Sequence, residues 1–345
     1  MKDIRNKARR ISAILSTVTI VLLLVGTQFV ASVAAKKPEP SYNGQFTRVV
    51  GKLGGAGYEL FMPDDWNGML VIGVRGYAHA PTFNIEMSPM HAIGQNFFMN
   101  TPGHKWAYAW STFGEGGFCV QKGMIRTHQL TEYIIDNYDV HGKVLLMGMS
   151  MGGLISCLLA EKYPNLYDGV LDICGLKDIK SLYEFQHDFT SLPSPLIDPE
   201  PTRDFLINGP LKIPEEIVKD IPVVADPGIP SLMSTRNLAM TAMADEELEL
   251  GGTPETKPKA YERYSPTYHA DITVPVLSMI GEHDTGVPPY QFKMYYDAVA
   301  EAGALDCYRS YTILGGGHVD PVTMAKFPEY WGKLVNWVMT GVAPA

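Results

Sequence analysis

The chain has 345 residues, 46% of them hydrophobic, enough for one substantial core with an insertion or for two small domains. Charged residues make up only 19%, the formal net charge is −9, and no run of Lys or Arg follows the first ten residues, so a basic nucleic-acid-binding surface is excluded. The four cysteines, Cys119, Cys157, Cys174 and Cys307, are too few and too scattered for a disulfide scaffold or a zinc site. Cys157 and Cys174 fall in apolar runs and read as buried thiols.

Residues 1–35 have the form of an export signal: a basic MKDIRNKARR, an apolar ISAILSTVTIVLLLVGTQFV, and the small residues ASVAA before KKPEP. The apolar run approaches the roughly 20 residues that span a bilayer. It therefore reads as a cleaved signal or as an N-terminal anchor, the one membrane contact the sequence offers. In either case the chain from Lys36 onward is expected to work outside the cytoplasm, secreted or extracytoplasmic.

After a polar linker, FTRVVGKL, YELFMP, GMLVIGVRGY and WAYAWST read as strands, with a turn at Asp64–Gly68. A helix is expected over Lys122–Asn137, with Ile125, Leu130, Ile134 and Ile135 at roughly helical spacing. Then come a strand KVLLMG, a helix MGGLISCLLAEKYP and a strand GVLDICG. Later the rhythm returns as a strand VPVLSMIG, a helix YQFKMYYDAVAEAG, a strand CYRSYTIL and a last helix around Tyr330–Met339. Short apolar strands alternating with helices imply an α/β fold, a mostly parallel sheet flanked by helices. Residues 36–175 and 265–345 supply the two parts of that core. The Pro-rich stretch 176–264 interrupts it and reads as a helical cap or lid insertion over the C-terminal edge of the sheet.

Gly148-Met149-Ser150-Met151-Gly152 lies where a strand hands over to a helix. Two Gly allow close backbone crossing and a strained Ser with an exposed hydroxyl, the setting of a nucleophile. The helix that follows aims its free N–H groups at whatever Ser150 attacks. A serine hydroxyl needs a base, and the base an orienting acid. His318 follows the last strand on a Gly-rich loop, and Asp284 ends the strand before it, with Glu282 two residues away as the other carboxylate on that loop. The chain order is then Ser150, Asp284, His318. The aromatic cluster Tyr108, Trp110, Phe113 and Phe118, together with Met149 beside the Ser, is a candidate lining for an acyl or aryl pocket. The pairs Glu246-Glu247 and Asp178-Asp188 read as solvated charges.

On YELFMPDDWNGMLVIGVRGYAHAP, GMSMGG, DICG, GEHDTGVPPYQ and GGGHVDP the chain resembles the α/β-hydrolases, and more narrowly an exported, capped esterase-like branch of feruloyl-, tannase- and polyester-hydrolase type. That resemblance implies an oxyanion hole made by the backbone N–H of Met151 and one from the loop after the third strand, here Tyr77. It also implies a cofactor- and metal-free hydrolysis of small-molecule or polymeric esters. The loop departs from the usual His-Gly pattern, since Arg75 precedes Gly76, and a salt bridge to a nearby carboxylate is the role expected of Arg75. A serine peptidase or aminopeptidase of the prolyl-oligopeptidase type shares the same triad, but no acidic anchor for a substrate amine stands out. A non-catalytic binding protein on the same fold is the remaining alternative, and all three triad residue types stand against it.

Overall fold

The structure, a computed structural model, describes residues 41–42, 46–78, 85–101, 104–191 and 232–345. The proposed export signal and residues 192–231 of the insertion lie outside the described residues. Strands are β1 Ser41–Tyr42, β2 Phe46–Leu53, β3 Ala56–Pro63, β4 Leu70–Val74, β5 Ala107–Ser111, β6 Val144–Met149, β7 Gly169–Ile173, β8 Val276–Gly281 and β9 Tyr308–Ile313. Helices are α1 Pro89–Ile93, α2 Val120–Asn137, α3 Met151–Lys162, α4 Ile179–Ser191, α5 Leu232–Leu250, α6 Pro258–Arg263, α7 Tyr290–Glu301, α8 Pro321–Met324 and α9 Phe327–Thr340.

The strands form one sheet in the order β1-β2-β3-β5-β4-β6-β7-β8-β9. The first three pair antiparallel, as does β3 with β5, and every pairing from β5 through β4 to β9 is parallel. Parallel strands need crossover helices on both faces, which explains why β4 to β8 are buried throughout and read as unbroken apolar runs. Side chains alternate between the faces. Ile72, Val74, Leu146 and Ile280 pack with Leu130, Leu154, Ile155, Tyr295 and Val299 of α2, α3 and α7. Val71, Leu145, Met147 and Leu277 pack on the opposite side with Phe98 and with Trp331 and Leu334 of α9. Gly341, at φ 74°, closes α9 in the left-handed conformation that ends many helices.

The chain runs from β4 outward to β5 and returns to the other side of β4 as β6. The loops after β4 and β6 therefore leave a crevice at the C-terminal edge, where open α/β sheets hold their ligands. Helix α2 departs from the expected pattern. It begins at Val120, and Ile125 is exposed while Gly123, Thr127 and Thr131 fill the buried face. Close packing on α3 is the reason: a Cβ at Gly123 would stand 2.5 Å from the Ile155 side chain. Between β7 and β8 the described part of the insertion is helical, as α4, α5 and α6.

Candidate active site

Ser150 occupies the turn between β6 and α3 with φ 54° and ψ −123°, a conformation that costs a non-glycine residue energy and turns its side chain outward. The surroundings hold it there. Its N–H donates to the Ile173 carbonyl at 2.9 Å, and its own carbonyl accepts from Gly153 at 2.9 Å and Leu176 at 3.3 Å. Both flanking glycines are obligatory. A Cβ at Gly148 would lie 2.2 Å from the Gly152 carbonyl oxygen, and one at Gly152 would lie 2.0 Å from that of Val74.

Because β6, β8 and β9 run parallel, their C-terminal loops meet at one edge. His318 Nε2 lies 3.0 Å from Ser150 Oγ, and His318 Nδ1 lies 2.9 Å from both carboxylate oxygens of Asp284. With the Nδ1 proton donated to Asp284, Nε2 is left to accept from the serine hydroxyl. Asp284 is buried and is fixed by N–H donors from Gly286 at 2.9 Å and Val287 at 2.8 Å. Gly286 lets the imidazole lie flat against the loop, since a Cβ there would stand 2.7 Å from the His318 ring. The other nearby acids are occupied elsewhere: Glu282 accepts from Gly315 N–H at 3.0 Å, and Asp320 caps α8 through Thr323 N–H at 2.8 Å. The side chain of His318 is 29% exposed, so the chain of hydrogen bonds runs from a buried acid to a reachable hydroxyl.

Met151 is the first residue of α3, where backbone N–H groups have no helical acceptor. Gly76 faces it across the crevice, with a Cβ there 3.2 Å from Ser150 Cβ. Tyr77 comes next, and its phenol donates to Asp245 at 2.6 Å, tying the loop to α5. Arg75 precedes them on the same loop. Its guanidinium is buried and donates to the carbonyls of Thr112 at 3.1 Å, Gly76 at 2.9 Å and Glu115, and lies 4.3 Å from the centre of the Phe113 ring. Arg75 thus braces the loop from inside, linking the turns after β4 and β5.

The pocket expectation is corrected. Trp110, Phe113 and Met149 are 0%, 1% and 6% exposed and belong to the core. Strand alternation turns Trp110 and Met149 to the inner face beneath α9, and the Trp110 indole donates to buried Glu59 at 2.8 Å. Phe118 and Tyr108 are buried as well. Nor are Asp178 and Glu246 of the insertion solvated. Asp178 is buried and caps α4 through Ser181 N–H at 2.7 Å. Glu246 is wholly buried on α5 with neither carboxylate oxygen hydrogen-bonded to a described residue, and burial, then Glu249, Asp245 and Glu247, push its carboxyl well above the ordinary range. Glu249 caps α2 through Val120 and Gln121 N–H, yet burial raises it to about 7. No periodicity marks these acids, because they answer to helices distant in the chain.

Cys174, expected from its apolar run to be a buried thiol, is buried and follows β7 directly. Donor atoms of Cys174, Asp284 and His318 lie within 4.8 Å of one another, the group among the described residues spaced to hold a metal ion, though here Asp284 and His318 bond to each other. All four cysteines are free thiols.

Residues 88–182 match the model of a family described as "Putative esterase". No curated protein sequence matches the chain. Among solved structures, it is similar to an Aspergillus oryzae esterase at 17% identity, covering 87% of this chain and 80% of that one, with a TM-score of 0.51. A Mycobacterium tuberculosis puromycin-hydrolyzing peptidase shares 16% identity over 88% of this chain and 42% of its own, with a TM-score of 0.53. The Pyrococcus horikoshii acylaminoacyl peptidase shares 12% identity over 92% and 43%, with a TM-score of 0.51. This chain spans less than half the length of both peptidases. The fold is that of the α/β-hydrolases.

Proposed function

We propose that this α/β-hydrolase cleaves carboxylic esters through a covalent serine mechanism. The observation that carries the reading is the continuous path from Asp284 through His318 to Ser150, at 2.9 and 3.0 Å, on a strained strand-to-helix turn. His318, held in its tautomer by Asp284, takes the proton of Ser150 as the oxygen attacks the acyl carbon. The N–H groups of Met151 and Tyr77 hold the oxyanion. His318 then passes its proton to the leaving alcohol, and water clears the acyl-enzyme along the same path. Substrates are uncharged aryl, feruloyl-type, polyester-derived or medium-chain acyl esters, admitted beneath a lid formed by the insertion. The protein acts outside the cytoplasm, released or anchored by its N-terminal segment. No helix among the described residues is long and apolar enough to cross a membrane.

One observation favours a second reading, an aminopeptidase. Asp245 of α5 bonds the phenol of Tyr77 in the proposed oxyanion loop. A substrate ammonium is a fitting partner for an acid so placed. The test gives wild type and Ser150→Ala p-nitrophenyl acetate to decanoate, methyl ferulate and an amino-acid anilide. Ester turnover that vanishes in the variant supports the first reading. Anilide cleavage without ester preference moves the assignment to a peptidase, and equal inertness of both proteins refutes catalysis.

A further inference from the structure

We propose that Asp245 is a positioning residue for the oxyanion hole. Its carboxylate takes the bond of the Tyr77 phenol, and helix α5 of the insertion thereby fixes the backbone N–H of Tyr77 against Ser150. The inference rests on the serine-hydrolase reading above, in which that N–H holds the oxyanion, and gives the insertion a part in the chemical step. The need for such a brace is local. Gly76 packs on the elbow, where a Cβ would stand 3.1 Å from the Met149 carbonyl oxygen and 3.2 Å from Ser150 Cβ. A glycine leaves the backbone free to turn there, so the direction of the next N–H is set by what holds its neighbours. Arg75 holds one side from within, donating to the carbonyls of Thr112, Gly76 and Glu115. Tyr77 holds the other, and its grip is Asp245, 168 residues on and 2.6 Å from the phenol oxygen.

The second observation is the seat made for that carboxylate. Gly117, in the turn after β5, has φ 74°, and a Cβ there would stand 2.7 Å from Asp245 Oδ2 and 2.9 Å from its Cγ. That turn is itself bound to the loop, with Gly117 N–H donating to the Ala78 carbonyl at 2.7 Å. Asp245 therefore enters where the two turns meet. One helical turn further along α5, Glu249 accepts from the N–H groups of Val120 at 2.9 Å and Gln121 at 2.7 Å, at the start of α2. The two acids set α5 on the turn after β5 and on the helix that follows it. Burial first, then the bond to Asp245, push the Tyr77 phenol well above its ordinary range, so it stays a donor.

The consequence falls on the transition state. Oxyanion-hole donors act by being in place before the charge develops, and an N–H that must find its direction during the reaction gives up part of its effect. The ground-state carbonyl makes little use of that donor, so a loosened Tyr77 N–H lowers kcat and leaves KM alone. A helix that only walled the site would act through KM.

The test is a double-mutant cycle of Tyr77→Phe, Asp245→Ala and the two combined, beside Asp245→Asn, which keeps a carbonyl oxygen for the phenol. With p-nitrophenyl butyrate, each member of the cycle alone is expected to lose about thirtyfold in kcat with KM within about twofold of wild type. The combined variant loses no more than either single one, and Asp245→Asn returns to within about threefold of wild type. The rate at which a fluorophosphonate labels Ser150 needs no ester and is expected to fall in the same order, because the same N–H groups receive its phosphoryl oxygen. Tyr77→Phe, which loses a single oxygen, carries the test should Asp245→Ala release α5. Single variants that turn over and label at the wild-type rate overturn the proposal and leave the ester reading standing. Losses that multiply in the combined variant, a change confined to KM, or a wild type that is not labelled also overturn it. If wild type cleaves no ester yet labelling falls in the stated order, the ester reading fails and the positioning role stands.

Discussion

The buried carboxyl of Glu246 makes stability depend on pH in a direction that can be worked out in advance. Neither oxygen has a hydrogen-bond partner among the described residues, the side chain is buried, and three further acids stand on the same helix. The folded chain therefore holds this proton at pH values where the unfolded chain, at an ordinary value of 4.5, has released it. With the folded value raised, the stabilising contribution is fully present below 4.5 and is lost as pH rises toward the folded value. Each unit of pH between 4.5 and the raised folded value costs about 1.4 kcal/mol. Glu246→Gln keeps the shape and cannot ionise. Urea unfolding at pH 5, 6 and 7 is expected to find the two proteins close together at pH 5 and the variant progressively ahead as pH rises, by about 1.4 kcal/mol at most for each unit. Glu249 is present in both and cancels. Parallel pH dependences, or a variant less stable at pH 7, would refute the reasoning.

Lys177 and Asp172 form a wholly buried pair at 2.6 Å, so Lys177→Met strands a carboxylate and is expected to cost about 3–5 kcal/mol in chemical unfolding. Asp172→Leu combined with Lys177→Met restores most of that, and a single-variant loss below about 1 kcal/mol would mean the pair is solvated. Gly152→Ala sets a methyl 2.0 Å from the Val74 carbonyl and displaces the elbow. Its rate of labelling by a fluorophosphonate should fall at least about a hundredfold, and labelling at the wild-type rate would show that the crossing is loose. Trp110→Phe removes the indole bond to Glu59 and is expected to lower stability by about 1–3 kcal/mol while leaving KM for the ester series unchanged. A changed KM with unaltered melting would return Trp110 to the pocket.

Strands β4 to β8 were legible because each is a short apolar run bounded by turn residues, and burial on both faces writes that pattern directly, whereas β2 and β9 show the alternation of strands with a wetter face. Helices α3 and α7 were equally plain, but α1 was not: PMHAI carries one buried apolar residue and no periodicity. The three residues of the proposed triad could be named because a strand end, a Gly pair and a Gly-rich loop each mark a local conformation. What escaped are contacts between segments distant in the chain. Arg75 reaches carbonyls 37 and 40 residues on, and Asp245 meets Tyr77 across 168. Aromatic residues announce burial without saying whether they face a core or a pocket, which is why Trp110 and Phe113 were misplaced. Charged residues mislead in the opposite way, since Glu246 looks solvated until α5 is packed.

The central claim is that Ser150 forms the covalent intermediate. Wild-type protein quenched in acid during turnover of p-nitrophenyl butyrate should carry a butyryl mass increment, and peptide mapping should locate it on Ser150 within GMSMGG. His318→Ala should neither accumulate the adduct nor release p-nitrophenol above background. An adduct on another residue, or undiminished turnover by Ser150→Ala, would contradict the account.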